Sequence, residues 1–362
     1  MSDVVADEAK YWVAFHQVPY IGPVRLERLE RHYGSLGAAW RASATSLSAV
    51  LDSRAVESLL SRRGGFDPDS ELNRIARLGI RPLTIRDPAY PTLLAQIPGA
   101  PPVLYVRGEM TDADATAVAI VGTRRATAYG RDVAARIGED LASAGVTVVS
   151  GLARGIDAAA HQAALRSGGR TVAVLGSGPD VIYPPEHRLL AERIVEQGAV
   201  ISDYPPGRKP DAQNFPARNR IISGLSLGVV LVEAPERSGA LITADFAADQ
   251  GRDVFVVPGN VTSAASAGSN RLLRDGARPV MSADDVLEDL RLGSAAAPTQ
   301  AALPLDDDER RVVALLGTEP VHIDDVAAQA GMEIAQAAVV LMTLELSGAV
   351  RNVGAQRYTR NR

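Results

Sequence analysis

Cysteine is absent from the 362 residues. That excludes disulfides, thiolate metal sites and cysteine nucleophiles, and it fits a reducing compartment. Aromatic residues make up only 4%, so one in a basic segment stands out. Lysine is nearly missing: Lys10 and Lys209 are the two among 38 basic residues. Positive charge is therefore carried by arginine, whose planar fork pairs with phosphate and stacks on bases. Heavy Arg and Ala usage equally reflects genome composition. No apolar run approaches the roughly 18 residues of a membrane span, so no membrane partner is expected. Residues 1–10 are acidic and lack the basic and apolar regions of a secretory signal. The expectation is a soluble, cytoplasmic protein.

The net charge of −5 argues at first against a nucleic-acid partner. Its distribution revises that. Residues 1–220 hold 26 Lys+Arg against 24 Asp+Glu, and residues 221–362 hold 12 against 19. The excess acid belongs to the back of the chain, and binding responds to the local field rather than the total.

The length suits two or three domains. Residues 1–64 read as helical, in the manner of a SAM or helix-hairpin-helix domain. Val18-Pro19-Tyr20-Ile21-Gly22-Pro23 precedes Val24, Leu26, Leu29 and Trp40 at helix spacing. Tyr20 stands where such hairpins usually have another glycine, and a plain helical packing domain fits as well. A second, weaker copy of the pattern covers 42–60. Residues 65–292 read as one extended Rossmann-like domain. In 65–110 prolines exclude helix interiors, and 103–106 reads as a strand. Beyond it, apolar strands at 117–121, 146–149, 171–175, 199–202, 228–232 and 253–257 alternate with helical patterns such as 129–144, 156–167 and 186–197. Repeated β-α units of this kind predict an α/β fold with a doubly wound parallel sheet. Residues 293–305 read as a linker. Residues 306–362 carry three short helical patterns and a two-stranded wing, a winged-helix pattern.

Ligands of open α/β sheets bind beyond the carboxyl ends of the strands. Here those ends carry Gly122-Thr123-Arg124-Arg125, then Gly151 to Gly155 with Arg154, Gly176-Ser177-Gly178, Ser238-Gly239 and Pro258-Gly259. Glycine lets backbone amides approach an anion closely, and helix N-termini attract it. Five such loops on one sheet edge, several with arginine, suggest an extended phosphate-bearing ligand. A dinucleotide fingerprint fails, because Val181 occupies the last glycine position after Gly176-Ser177-Gly178. A P-loop fails for want of a Gly-Lys pair. No cofactor is expected.

The sharpest basic cluster runs from Arg208 to Arg220 and leads into Ile221-Ile222-Ser223-Gly224. Asn214 or a neighbour is placed to cap a helix, with Arg218 and Arg220 in its first turns. Arginine there opposes the macrodipole unless an anion lies between the side chains. Phe215 is a candidate base-stacking platform; a solvated basic loop with Phe215 in the core is the competing reading. Asp157 and His161, four residues apart, fit an acid/base or metal pair, but no third ligand is evident in the sequence, and a capping Asp with a His bonded to a neighbouring loop is the favoured reading. Glu233 and Thr243 are candidate sugar contacts or caps. No nucleophile elbow or zinc-protease motif occurs, so no catalytic set is assigned. The third helix of the winged segment has no Lys or Arg; the basic residues sit in the wing at Arg351, Arg357, Arg360 and Arg362. That counts against base reading by the helix.

These stretches together resemble the bacterial DNA-processing protein A family (DprA, also called Smf). The residues that carry the resemblance are Tyr90-Pro91, Pro102 to Tyr105 with Gly108, Val121 to Arg124, and the run from Ser150 to His161. They continue with Val174 to Gly178, Ile182-Tyr183-Pro184, Phe215 to Leu225, and Glu233-Ala234 with 238–244. The resemblance is strong over 65–290; the helical front and the winged end resemble longer members. It implies an extended Rossmann-like domain that binds single-stranded DNA. It further implies a homodimer that helps load the RecA recombinase in natural transformation, with single-strand-binding protein as a further partner. By position, Gly122, Thr123 and Arg124 match the family's phosphate-binding loop. Phe215, Arg218, Asn219 and Arg220 match a second segment along the DNA groove, and Arg154 sits where a basic residue lines it. Gly176, Ser177, Gly178, Ser238 and Gly239 join them as strand-end residues. Two other classes fit the sequence less well. A nucleoside-monophosphate phosphoribohydrolase of the lysine-decarboxylase-like group wants paired glycines and a later Glu that 235–243 lacks. A winged-helix regulator would need a basic recognition helix.

Overall fold

A computed structural model describes residues 2–292, 306–317, 319–346, 349–354 and 356–360, with the backbone alone at 2–7 and 346. The linker expected at 293–305 lies outside the described residues. The chain divides into two compact units, Met1–Ala295 and Ala296–Arg362.

The first unit begins with helices α1 (Ser2–His16), α2 (Pro23–Tyr33), α3 (Leu36–Arg41), α4 (Ala44–Leu47), α5 (Ser53–Arg63) and α6 (Pro68–Arg77). Ser35, Ser43, Asp52 and Asp67 cap four of these by accepting from a backbone N–H in the first turn. Pro23 and Pro68 occupy first helical positions, where a missing N–H costs nothing. Helix α6 was not anticipated, yet it follows from that rule. Tyr20 adopts a φ of 67°, filling the left-handed position that a hairpin normally gives to glycine.

Nine strands among the described residues form one sheet: β1 (Ile80–Thr84), β2 (Val103–Gly108), β3 (Ala117–Val121), β4 (Thr147–Ser150), β5 (Thr171–Val174), β6 (Ala199–Ser202), β7 (Gly228–Leu231), β8 (Asp253–Val256) and β9 (Arg278–Pro279). Their order is β1-β2-β6-β5-β4-β3-β7-β8-β9. From β6 to β9 all pairs are parallel; β2 joins β6, and β1 joins β2, antiparallel. Strand β1 contains Pro82, which hid it in the sequence. It lies at the sheet edge, where one N–H per residue pair is not needed.

The connecting helices are α7 (Thr92–Ala95), α8 (Ala128–Ser143), α9 (Ile156–Arg166), α10 (Arg188–Gln197), α11 (Asn214–Gly224), α12 (Gly239–Asp249), α13 (Ala267–Arg274) and α14 (Ala283–Asp289). Alternate strand residues face opposite layers. Val118, Ile120, Val148, Val230 and Phe255 pack on Ile137, Leu141 and Ala160 of α8 and α9. Ala119, Val149, Val229, Leu231 and Val256 pack with Ile221 and Ile222 of α11 and Ala240 and Ala247 of α12. Burial on both faces explains why these strands are apolar without alternation. Strand β2 divides likewise. Leu104 and Val106 join the α11 layer, while Val103 and Tyr105 meet Trp12, Phe15, Leu26 and Leu59 of the front helices. The helical front thus shares a core with the sheet edge.

The second unit holds α15 (Asp307–Leu315), β10 (Val321–His322), α16 (Ile323–Ala330), α17 (Ile334–Leu346), β11 (Val350–Asn352) and β12 (Arg357–Arg360), with strand order β10-β12-β11. Val312, Val326, Leu341, Leu344 and Val350 form its core. Three helices and this small sheet make a winged helix. Helix α17 exposes Val339 and Met342. Among the described residues no single helix is long and apolar enough to cross a membrane.

Candidate nucleic-acid interface

From β3 the chain winds through β4, β5 and β6 on one side, then crosses to β7, β8 and β9 on the other. Loops leaving β3 and β7 diverge at that reversal, which opens a crevice beyond the strand ends. A cleft of about 710 Å³ occupies it. Its walls include Gly122, Thr123, Arg124 and Arg125 after β3, Ala153 and Asp157 after β4, and Tyr183. Phe215, Arg218 and Asn219 of α11 and Arg237, Ser238, Gly239 and Thr243 around the start of α12 complete it.

The loops from β3 and β7 are stitched together. Thr123 N–H donates to the Glu233 carbonyl at 2.7 Å. A Cβ at Gly122 would lie 2.5 Å from Ile156 Cγ1 and 2.9 Å from the Glu233 carbonyl oxygen, so no side chain fits there. The buried Glu233 carboxylate accepts from Thr127 N–H at 2.9 Å and from the Thr127 hydroxyl at 2.5 Å. Glu233 is thus a cap at the start of α8, while Thr243 lines the cleft. Ser238 Oγ accepts from Ala240 N–H at 3.3 Å, starting α12. Asn219 Nδ2 donates to the Gly239 carbonyl at 3.1 Å, joining α11 to α12.

Two arginines differ from expectation. Arg218 does not stand in the open beside an anion. It is buried, and its Nη1 donates to the Gly151 carbonyl at 2.8 Å and to the Val174 carbonyl. Its Nε is buried without a hydrogen-bond partner. Burial pushes its pKa down to about 10, and Asp157 opposes the shift. The helix turns this side chain toward the sheet because residue 218 shares the inner face with Ile221 and Ile222. Arg220 points elsewhere. Its Nη2 pairs with Asp203 at 2.9 Å, its Nε donates to the Gly99 carbonyl at 3.2 Å and its Nη1 to the Ala217 carbonyl at 2.9 Å. It fastens α11 to the loop before β2. Nor does Asn214 cap α11: its Nδ2 donates inward to the Gly176 carbonyl at 2.9 Å.

Asp157 and His161 each hold structural partners. Asp157 Oδ2 accepts from Gly151 N–H at 3.1 Å and Ala153 N–H at 3.2 Å. Burial raises its carboxyl above the usual range, opposed by Arg218. His161 Nδ1 lies 2.7 Å from Thr171 Oγ1, whose hydroxyl donates to the Val148 carbonyl at 2.6 Å. With that proton committed, Thr171 accepts from His161 Nδ1–H. Nε2 is left buried and unpartnered, and burial pushes the imidazole pKa down to about 3.

Free cations remain on the rim. Arg124, Arg125 and Arg237 are exposed and hold no ion pair among the described residues. Arg124 Cζ lies 5.2 Å from the centroid of the Phe215 ring. Arg154 is different: it pairs with Glu186 at 2.5 Å on the surface. Ser177 and Gly178 are buried behind the cleft. Ser177 Oγ donates to the Val181 carbonyl at 2.7 Å, and Gly178 N–H to the Arg208 carbonyl at 2.9 Å. Gly176 abuts Phe215, where a Cβ would sit 3.1 Å from Cδ1. The structure therefore gathers Gly122, Thr123, Arg124, Phe215, Arg218, Asn219, Ser238 and Gly239. Arg154, Gly176, Ser177, Gly178 and Arg220 do not line the cleft. Arg237 and Tyr183 were missed: Arg237 has no local signal, and Tyr183 was visible only as part of a matching Ile-Tyr-Pro run.

The family described as DNA recombination-mediator protein A matches residues 81–291, and the DprA winged helix domain matches residues 295–356. Protein Smf of Synechocystis is 37% identical, over 98% of this chain and 99% of its own length. The X-ray structure of DNA processing protein A from Streptococcus pneumoniae superimposes with a TM-score of 0.69 at 34% identity, covering 77% of this chain and 97% of that one. DNA processing protein A from Helicobacter pylori, whose structure was described for its single-stranded DNA binding mode, gives a TM-score of 0.53 at 29% identity, covering 59% of this chain and 96% of that one.

Proposed function

The chain belongs to the DNA recombination-mediator protein A family, and from that premise we propose that it binds single-stranded DNA along the cleft between β3 and β7. In this reading it protects incoming strands and helps load RecA in recombination and natural transformation. It works in the cytoplasm as a homodimer, with RecA and single-strand-binding protein as partners. Residues 65–292 bind the strand, 1–64 and 306–362 are accessory domains, and 293–305 link them.

One observation carries the reading. Arg124 is an exposed guanidinium without a carboxylate partner among the described residues, and it is held over the Phe215 ring at the winding reversal of the sheet. Single-strand binders combine cations that follow the backbone with aromatic surfaces for the bases. The relative from Helicobacter pylori, described for its single-stranded DNA binding, supports the same reading. The chain acts by binding rather than catalysis: Asp157 and His161, its nearest approach to an acid/base pair, are both engaged in holding the fold.

The test is a gel-shift titration with matched single and double strands across a salt series. Single strands are expected to bind more tightly, with little sequence preference and with affinity falling as salt rises, because phosphate contacts release counterions. Tighter binding of the duplex would overturn the reading.

A further inference from the structure

We infer that Glu186 holds Arg154 in place of a phosphate and that a bound strand displaces it, which adds a phosphate contact outside the cleft; this rests on the proposed single-strand role of the chain. Arg154 directs Nε and Nη2 to one oxygen, Oε1 of Glu186, each at 2.5 Å. Both side chains are about half exposed, 58% for Arg154 and 48% for Glu186. An exposed ion pair of this kind is weak. A phosphate offers the guanidinium fork two oxygens where Glu186 gives one. The pairing is therefore exchangeable, and a strand brings the better acceptor.

The place of Arg154 in the fold brings a strand within its reach. Ala153 lines the cleft, and so does Tyr183, three residues before Glu186. On the other side of Arg154, Gly155 packs against the loop after β3. A Cβ at Gly155 would lie 2.4 Å from the Thr123 carbonyl oxygen and 2.9 Å from the Arg124 carbonyl oxygen. Arg154 thus follows a cleft residue and precedes one that touches the backbone of Arg124. The backbones that carry the pair are tied together. Glu186 lies in the single 3-10 turn Pro185–His187. His187 Nδ1 lies 2.8 Å from the Leu152 carbonyl oxygen, so the ring donates there. Exchange of Glu186 for a phosphate then needs only side-chain rotation, with little further loss of freedom. In the free chain Glu186 covers Arg154. Its carboxylate lowers affinity for a strand, because the pair must break before Arg154 can turn to a phosphate.

The experiment titrates oligothymidylate into the full chain and into Glu186→Gln, Arg154→Ala and the double variant, each over a salt series. For Glu186→Gln we expect affinity to rise about threefold at low salt, since one phosphate contact then forms without breaking an ion pair. Arg154→Ala weakens binding and lowers the salt slope by about 0.7, the share of one phosphate on a single strand. In the double variant the gain from removing the Glu186 charge is absent. A carboxylate acting only through its field would give that gain with or without Arg154. The inference is overturned if Glu186→Gln binds as the parent does, if its gain persists without Arg154, or if Arg154→Ala keeps the parent's salt slope. Failure of the parent to bind oligothymidylate would instead remove the proposed function beneath it. Far-UV circular dichroism checks that the variants fold, which the exposure of both side chains leads us to expect.

Discussion

Arg218 and Asp157 grip the same residue from opposite sides: Arg218 Nη1 donates to the Gly151 carbonyl at 2.8 Å, and Asp157 Oδ2 accepts from Gly151 N–H at 3.1 Å. Gly151 is the first residue past β4, so the two charges fix the strand-end loop that forms one wall of the cleft. Glycine is required there. A Cβ would lie 2.5 Å from Arg218 Nη1.

Removing the cation should therefore damage the fold before it touches binding. Arg218→Ala leaves a buried carboxylate unbalanced and two buried carbonyls without their donor. Leaving a buried hydrogen-bonding group without its partner costs about 1–3 kcal/mol. Urea denaturation followed by circular dichroism should show a loss of that size, with Arg218→Lys losing less. A loss below about 1 kcal/mol would show that the clamp is not structural.

Arg124→Ala should do the reverse. Its side chain holds no ion pair among the described residues, so far-UV circular dichroism and stability should stay as in the parent. Oligonucleotide affinity should fall at least about tenfold, with a shallower salt dependence. Arg220→Ala, by contrast, breaks the Asp203 pair and the bond to the Gly99 carbonyl. It should lower the melting temperature and leave the salt slope unchanged. Parallel denaturation and gel-shift series distinguish the two arginines.

Acid should weaken the fold partly through His161. Its folded pKa is lowered from 6.5 to about 3. The unfolded chain therefore takes up a proton that the folded chain refuses. The contribution is complete above pH 6.5 and is lost as pH falls through that window toward the folded value. The slope approaches about 1.4 kcal/mol per pH unit. His161→Gln should flatten the difference between stabilities measured at pH 7 and pH 5. An unchanged pH dependence would mean that His161 is protonated in the folded chain.

Gly130→Ala tests the stitching of the two loops. A Cβ at Gly130 collides with the Glu233 carboxylate, which is held by Thr127 and cannot retreat freely. Overpacking of this kind costs about 1–3 kcal/mol. Thermal denaturation should register it. Because the Glu233 carbonyl also holds Thr123 N–H, single-strand binding should weaken with it.

Much of this molecule follows from its sequence alone. Short apolar runs separated by helix-period segments specify a doubly wound sheet, because strands covered on both faces must be apolar throughout. The glycine loops mark which sheet edge is open, and the winged end follows from its three helical patterns and two short strands. The edge strand β1 escaped because Pro82 reads as a strand breaker until the edge position is known. The site was legible as a set of segments and not as a set of roles. Arg124, Arg218 and Arg220 are alike in one dimension. Only packing turns Arg218 into the sheet, hands Arg220 to Asp203 and leaves Arg124 free. Tyr183 meets Phe215 across 32 residues of chain, a distance over which no periodicity carries information. The sequence set which chemistry is available; the tertiary structure decided which groups are already satisfied, because burial and pairing depend on neighbours that are remote in the chain.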